Sequence, residues 1–459
     1  MENSFNLNKL NTDYSKHKES SFSRKKIKHS VVEKLCSEKC KSDKLKLSIA
    51  GHSIENRSIN QISFGNGPVN VLCWSQMHGN ESTATMAVFD VLNFLISEEN
   101  ESAINYLSEK LTIHFIPMLN PDGAEKFVRE NAVDIDLNRD ALRLVSPESK
   151  ILKRAILDLK PKFGFNLHDQ KKYYSAGYCS NPAAISFLAP AFNYEKEINE
   201  VRERAIKLIT ELNESISSII PNCVGRYDDE FEKRAFVDNI MKWNTSTVLI
   251  ESGGYKDDTE KQFLRKINYL LLLTSFYSIA SGNYEKFEVE KYYSIPENRE
   301  RLFDLIIRNA TVKQNDELYQ IDIGINRTEF YENGSDRICY ESTIENIGDL
   351  STFYAYEEFD AENLITDEAL FFDSVTDSQI KTHIRDGYLY FKKNENSKAV
   401  NLPANIYNSN KPDSQIALES NANFYLSDNK GNKKFAVING FLVDLIDENF
   451  EIPNCINFF

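Results

Sequence analysis

Four residues of this chain have the types and spacing to hold a metal ion and use it. His78 and Glu81 stand three residues apart in SQMHGNES, His168 closes the apolar run FGFNLH, and Glu251 closes STVLIE. Two imidazoles and a carboxylate form one of the N/O donor sets of hydrolytic zinc sites, which leave a further position to water. A second carboxylate, not itself a ligand, must then take the proton of that water. On this reading His78, Glu81 and His168 hold one zinc ion per chain, and Glu251, followed by the flexible SGG, is the base. Singly, each residue has an ordinary explanation: a helix dipole favours a glutamate in the first turn, and a lone histidine fits a satisfied core position. The remaining histidines, His17, His29, His52, His114 and His383, keep that ordinary explanation.

The elements around these residues can be read from periodicity. LKLSIAGHSIENRSINQISFG, just after Lys44, reads as two strands joined by a turn at Glu55–Asn56. VNVLCWS is a compact apolar strand that leads into His78, Glu81 and a helix over Thr85 to Ile96. LTIHFIPML, Leu111 to Leu119, is a strand ended by the turn signal NPDG. FGFNLH and STVLIE are buried strands. Between them Ile198, Val201, Ala205, Leu208, Ile209 and Leu212 recur at helical spacing, and Glu260 to Ala280 is again helical. Strands alternating with helices predict an α/β fold with a mixed, mostly parallel central sheet flanked by helices. The candidate residues then fall beyond the carboxyl ends of strands, where open α/β sheets gather ligands. After Asn283 the texture changes to strict alternation, as in YQIDIGIN. The expected division is a polar lead-in over residues 1–43, a catalytic domain over 44–282 and a β-rich C-terminal domain over 283–459 without a catalytic motif.

A chain of 459 residues is long enough for two domains, and 41% hydrophobic with 27% charged residues is a globular composition. The net charge of −15 disfavours nucleic acid and anionic membrane as partners, though not a local basic pocket for a small anion. Met1 to Ser30 contain no apolar signal-peptide core, and no apolar stretch approaches the ~18 residues of a membrane span. Seven scattered cysteines, Cys36, Cys40, Cys73, Cys179, Cys223, Cys339 and Cys455, form no disulfide framework, which points to a reducing, cytoplasmic setting. Cys36 and Cys40 lie one helical turn apart without a second ligand pair and read as structural.

Read in order, HGNE, NPDG, VREN, DIDLNRD, NLHDQ and VLIESGG resemble the zinc carboxypeptidase superfamily, the metallocarboxypeptidases or funnelins, from about Lys44 to Ala280. The resemblance implies a zinc metallopeptidase in which His78, Glu81 and His168 bind zinc and Glu251 is the general base. Arg129 would polarise the scissile carbonyl, Asn138 and Arg139 would grip the substrate's terminal carboxylate, and Asp136 would orient His78. A planar guanidinium suits both tasks: it binds a carboxylate bidentately and stabilises a developing oxyanion. Peptide-cleaving members often carry a serine where Asp169 follows His168 here. HGNE, DLNR and LHD also resemble the smaller acyl-amino-acid deacylases of the superfamily. The substrate-covering tyrosine is expected near Asp229, so Tyr227 is the candidate. The charges of GRYDDEFEKRAFVDN, Gly225 to Asn239, either line the pocket or pair with one another. The expected substrate is a peptide or N-acyl amino acid with a free carboxylate. The rival expectations are a deacylase acting on N-acyl amino acids or cell-wall-type peptides, and a non-catalytic binding scaffold.

Overall fold

The computed structural model describes residues 6–315, 317–331, 338–373, 379–392, 404–407, 414–452 and 456–458. The chain divides into two compact units, one ending at Glu300 and the other beginning at Arg301.

The strands of the first unit are β1 (Leu45–His52), β2 (Ser58–Gly65), β3 (Val69–Ser75), β4 (Leu111–Ile116), β5 (Phe163–Asp169), β6 (Tyr174–Ala176), β7 (Ile185–Leu188), β8 (Val224–Arg226) and β9 (Ser246–Ser252). Its longer helices are α1 (Leu7–His17), α2 (His29–Lys39), α3 (Thr83–Ile96), α4 (Glu101–Lys110), α5 (Pro121–Lys126), α6 (Pro147–Leu159), α7 (Glu200–Ile216), α8 (Phe236–Lys242) and α9 (Gln262–Ser281). Eight strands form one sheet in the order β1-β2-β4-β3-β5-β9-β7-β8. Its centre is parallel: β3 pairs with β4 and β5, and β5 with β9. The pairs β1–β2, β2–β4 and β7–β9 are antiparallel, so the sheet is mixed, as expected.

Sequence explains this order. β5 and β9 are buried almost throughout, and β3 in all but its first two residues. Near-continuous apolar runs are the signature of strands covered on both faces. Helices α3 and α9 supply part of the cover and are buried along most of their length. β1 and β2 turn at Asn56, whose φ of 63° is the left-handed conformation that asparagine tolerates.

Three expectations differ from the structure. Residues 6–43 are more than a polar lead-in: they form α1 and α2, and Leu10, Tyr14, Phe22, Ile27, Val32, Leu35 and Cys36 join the main core. Their apolar spacing is masked in sequence by the Asn, Ser and Lys between them. Helix α7 begins at Glu200, because the Asn199 side chain caps it by accepting from the Arg202 N–H at 2.9 Å. Ile198 therefore lies outside the helix and is exposed. The division between the units lies beyond Asn283. The Tyr292 hydroxyl oxygen accepts the Ala189 N–H at 3.1 Å, and Asn298–Glu300 pairs with β6, which ties residues 283–300 to the first unit.

The N-terminal segment is held by a buried ion pair. Asp90 on α3 and Arg265 on α9 are fully buried and meet at 2.5 Å. Asp90 also accepts the Tyr14 hydroxyl at 2.9 Å and the Glu19 N–H at 2.7 Å, while Arg265 donates to the carbonyls of Glu19 and Phe22 at 2.8 and 2.7 Å.

The second unit is β-rich, as expected. Leu302–Gln314, Glu317–Tyr331 and Ile338–Gly348 run antiparallel, and Tyr354–Asp360 lies parallel to the first of them. The same sheet continues through Ile365–Glu368, Phe424–Ser427, Lys433–Ile438 and Phe441–Asp444. A second sheet of four short parallel-paired strands joins Leu370–Phe372, Tyr388–Lys392, Ala404–Tyr407 and Ile456–Phe458. The six described cysteines are free thiols, and Cys455 lies outside the described residues. Among the described residues no helix is long and apolar enough to cross a membrane.

Replacing Asp90 with Ala leaves the Arg265 guanidinium buried without its counter-charge. The first unit should lose about 3–5 kcal/mol of stability, measured by urea unfolding, and residues 19–28 should become the first site of limited proteolysis.

Candidate metal centre

Strand adjacency assembles the site. In the β5–β9 register His168 faces Glu251, and in the β3–β5 register Ser75 faces Leu167. The carboxyl ends of β3, β5 and β9 thus lie side by side, and His78 and Glu81 follow β3 in the turn before α3. Gln76 enters that turn at φ 46°, with its side-chain amide on the Gly79 carbonyl at 2.8 Å. Gly79 admits no side chain, because a Cβ there would stand 2.1 Å from the carbonyl carbon of Gly123. The HGNE and NPDG motifs therefore pack backbone to backbone. Asn120 caps α5 by accepting the Gly123 N–H at 2.9 Å. Its amide also donates to the carbonyls of Arg129 and Glu130 at 3.3 and 3.1 Å, carrying the VREN loop to the site.

Glu81 is the hub. Its Oε1 lies 2.8 Å from His78 Nδ1, and its Oε2 lies 2.7 Å from His168 Nδ1. Ligand atoms of the three side chains lie within 4.8 Å of one another, and all three residues are buried. Among the described residues this is the one such group of His, Cys, Asp or Glu. His78 Nε2 meets Asp136 Oδ1 at 3.1 Å, which makes Nε2 the N–H and turns the Nδ1 lone pair towards Glu81. A lone pair and a carboxylate at that distance need positive charge between or beside them. Arg129 supplies some: its Nη1 lies 3.1 Å from His78 Nδ1 and 3.2 Å from Glu81 Oε1. Its Nε and Nη2 donate to Asp136 Oδ2 at 3.2 and 3.0 Å. The donor set, two imidazoles and a carboxylate with a further carboxylate behind one ring, fits a zinc ion.

The electrostatics follow from burial and these contacts. Burial opposes the charge on Glu81, but His78 and His168 hold its carboxyl well below the usual range. Burial likewise opposes Asp136, which His78 and Arg129 hold far down. His78 is raised despite its burial, by Glu81 and Asp136, whereas burial prevails at His168 and lowers it. Glu251 goes the other way: burial first, then the charges of Glu81 and Asp169, push it well above its usual range, against Arg129 and Lys261. Its Oε2 is buried and makes no hydrogen bond. Asp169 is pushed up to about 6 by burial, with Lys261 opposing and Glu81 adding to the shift.

The other candidates lie around this centre. Asn138 and Arg139 sit in the 3₁₀ turn Leu137–Arg139, which starts where Asp136 Oδ1 accepts the Asn138 N–H at 2.8 Å. Asn138 Oδ1 accepts the Phe236 N–H at the start of α8, at 2.9 Å, and Arg139 is exposed. Tyr227 follows β8 with its ring edge-on to Tyr174, centroids 6.0 Å apart. Burial, and after it Glu251, raise its phenol. The charges of Gly225 to Asn239 largely pair with neighbours. Arg234 meets Glu232 at 2.7 Å, Asp229 meets Arg202 at 2.6 Å, and Lys196 bridges Asp229 and Glu230 at 3.2 and 2.5 Å. Sequence reasoning missed the roles of Asn120, Tyr174 and Asp169 in building the site. Asp169 carried a signal in its departure from serine, and Asn120 in opening the NPDG turn.

Residues 35–206 match the zinc carboxypeptidase family. Over that stretch the chain is similar to the zinc carboxypeptidases. The match includes His78, Glu81, Arg129, Asn138, Arg139 and His168, and it ends before Tyr227 and Glu251. The chain is 26% identical over 168 residues to carboxypeptidase 2 of Trichophyton rubrum, covering 34% of this chain and 28% of that protein. It is 26% identical over 142 residues to carboxypeptidase SOL1 of Arabidopsis thaliana, covering 26% of this chain and 28% of that protein. The matches thus span little more than a quarter of these relatives' length. Among solved structures, a metallo-carboxypeptidase from Burkholderia cenocepacia aligns with a TM-score of 0.43 at 15% identity, over 55% of this chain and 68% of that one.

Because Gly79 has no room for a side chain, Gly79→Ala should displace the turn that carries His78 and Glu81. Zinc retained after dialysis against a mild chelator should fall well below that of the unaltered protein, with β-sheet circular dichroism largely kept.

Proposed function

We propose that this protein is a zinc-dependent metallocarboxypeptidase that removes residues from the carboxyl end of peptides. The observation that carries the reading is the single network of His78, Glu81, His168, Arg129 and Asp136 at the strand ends where Glu251 also lies. His78, Glu81 and His168 would hold the zinc ion, which when bound would supply an acidified water and a Lewis acid for the scissile carbonyl.

The remaining work belongs to the chain's own side chains. Glu251 takes the proton of the attacking water. A carboxylate pushed up by burial and by like charges is a stronger proton acceptor than an exposed one, and it can return that proton to the leaving amine. Arg129 places guanidinium N–H groups beside the ligands, where they meet the negative charge that grows on the carbonyl oxygen. Asp136 keeps that guanidinium and the His78 ring in fixed orientation. Asn138 and Arg139, on the next turn, grip the free carboxylate of the substrate, and Tyr227 closes over it from the Glu251 side.

Asp169 favours a second reading. The LHD sequence is shared with the acyl-amino-acid deacylases, whose substrates present the same free carboxylate beside an amide. A panel of C-terminally free peptides, C-terminally amidated peptides and N-acyl amino acids separates the two. Turnover of the free peptides and rejection of the amidated ones is expected. Turnover of acylated amino acids alone would replace the carboxypeptidase reading by the deacylase one.

Glu251→Gln should retain zinc and lose about 10²–10⁴-fold in kcat, and Arg129→Met should lose about 10²–10³-fold. Steady-state kinetics with metal analysis of the same samples checks both; full activity of Glu251→Gln would remove the assigned base. Arg139→Met should raise KM for free peptides more than it lowers kcat.

A further inference from the structure

We propose that Asp169 is a positioning residue that locks Glu81 into its ligand geometry by gripping both sides of the Glu81–Thr83 segment. This rests on the reading of His78, Glu81 and His168 as a zinc site. Asp169 ends β5 directly after His168, so its backbone is fixed by the same register that places His168 against Glu251. Its N–H donates to Glu81 Oε2 at 3.2 Å. Its carboxylate Oδ2 accepts the Thr83 hydroxyl at 2.7 Å and faces the Thr83 N–H at 3.4 Å. One residue thus holds the Glu81 carboxylate with its main chain and the first residue of α3 with its side chain.

The helix needs this help. The first N–H groups of a helix have no partner within it and are usually met by the side chain at the N-cap. Ser82 occupies the N-cap of α3 but makes no capping bond; its hydroxyl is spent on the Lys25 carbonyl. Asp169 brings a carboxylate to the uncapped end from a neighbouring strand, with the charge that the helix dipole favours there. A serine side chain, one atom shorter and neutral, would offer a weaker acceptor. The aspartate that departs from the superfamily's frequent serine therefore has a structural partner in this chain, Thr83. Glu81, two residues before Thr83, cannot swing away from His78 and His168 without breaking either the Thr83 or the main-chain contact.

The test is a double-mutant cycle on zinc affinity, read by competition with a chromogenic chelator at a temperature well below the unfolding midpoint of every variant. A residue that served folding alone would lower that midpoint without moving the affinity. Asp169→Ala is expected to bind zinc about 10–100-fold more weakly. Thr83→Val, which removes the hydroxyl and keeps the N–H, should show a smaller loss. The double variant should be no weaker than Asp169→Ala, because both changes break the same link. Affinity of Asp169→Ala within twofold of the unaltered protein, or losses that multiply in the double variant, would overturn the proposal. If Asp169→Ala does not fold, Thr83→Val decides, and unchanged zinc affinity in it overturns the proposal. An unaltered protein that binds no zinc would instead remove the zinc reading on which the inference stands.

Discussion

Glu81 lies buried between two imidazole nitrogens at 2.8 and 2.7 Å, and the first unit is arranged around that contact. A carboxylate in such a place is stable only with positive charge on it, because burial alone would drive it to neutrality. The parallel strands β3, β5 and β9 bring the two histidines and Glu251 to one end of the sheet, at their carboxyl termini. Glu81 is delivered by the turn out of β3, which a missing side chain at Gly79 allows to lie on the NPDG turn. Asn120 then ties in the loop that carries Arg129, so one polar residue connects the ligand turn to the guanidinium that shares its charge.

The carboxylates of the centre divide by environment into different roles. Glu81 and Asp136 touch imidazole and guanidinium and are held ionised. Glu251 has a buried oxygen without a hydrogen bond and is pushed towards its protonated form by burial, Glu81 and Asp169, against Arg129 and Lys261. That contrast is what an enzyme needs if one carboxylate is to hold a metal and another is to carry a proton. Asp169 stands between the two classes, its charge opposed by burial and its oxygen committed to Thr83.

Much of this was legible from sequence where apolar runs are continuous. VNVLCWS, FGFNLH and STVLIE read correctly as buried strands because burial on both faces demands a run with little interruption, and their ends located His78, His168 and Glu251. The part that residues 6–43 play in the core was not legible, because their few core side chains are spread over two short helices and the segment between them, and the ion pair of Asp90 and Arg265 that holds them is invisible in local periodicity. The placement of Ile198 failed on a single residue, since the Asn199 cap decides where α7 begins. The charges around Asp229 and Arg234 could not be assigned from spacing, because their partners include Arg202 and Lys196, both remote in sequence from the pocket segment. Asp169 was noticed only as a departure; its partner Thr83 lies on another element, and nothing in the local sequence connects them.

Everything above the sheet turns on whether His78, Glu81 and His168 hold zinc. Zinc K-edge X-ray absorption on the purified, zinc-loaded protein tests it most directly. One zinc per chain is expected, with N/O neighbours only at about 2.0–2.2 Å and multiple-scattering features of two imidazoles that vanish in part in His168→Ala. A sulfur neighbour at about 2.3 Å, a shell without imidazole, or a spectrum unchanged by His168→Ala would contradict it.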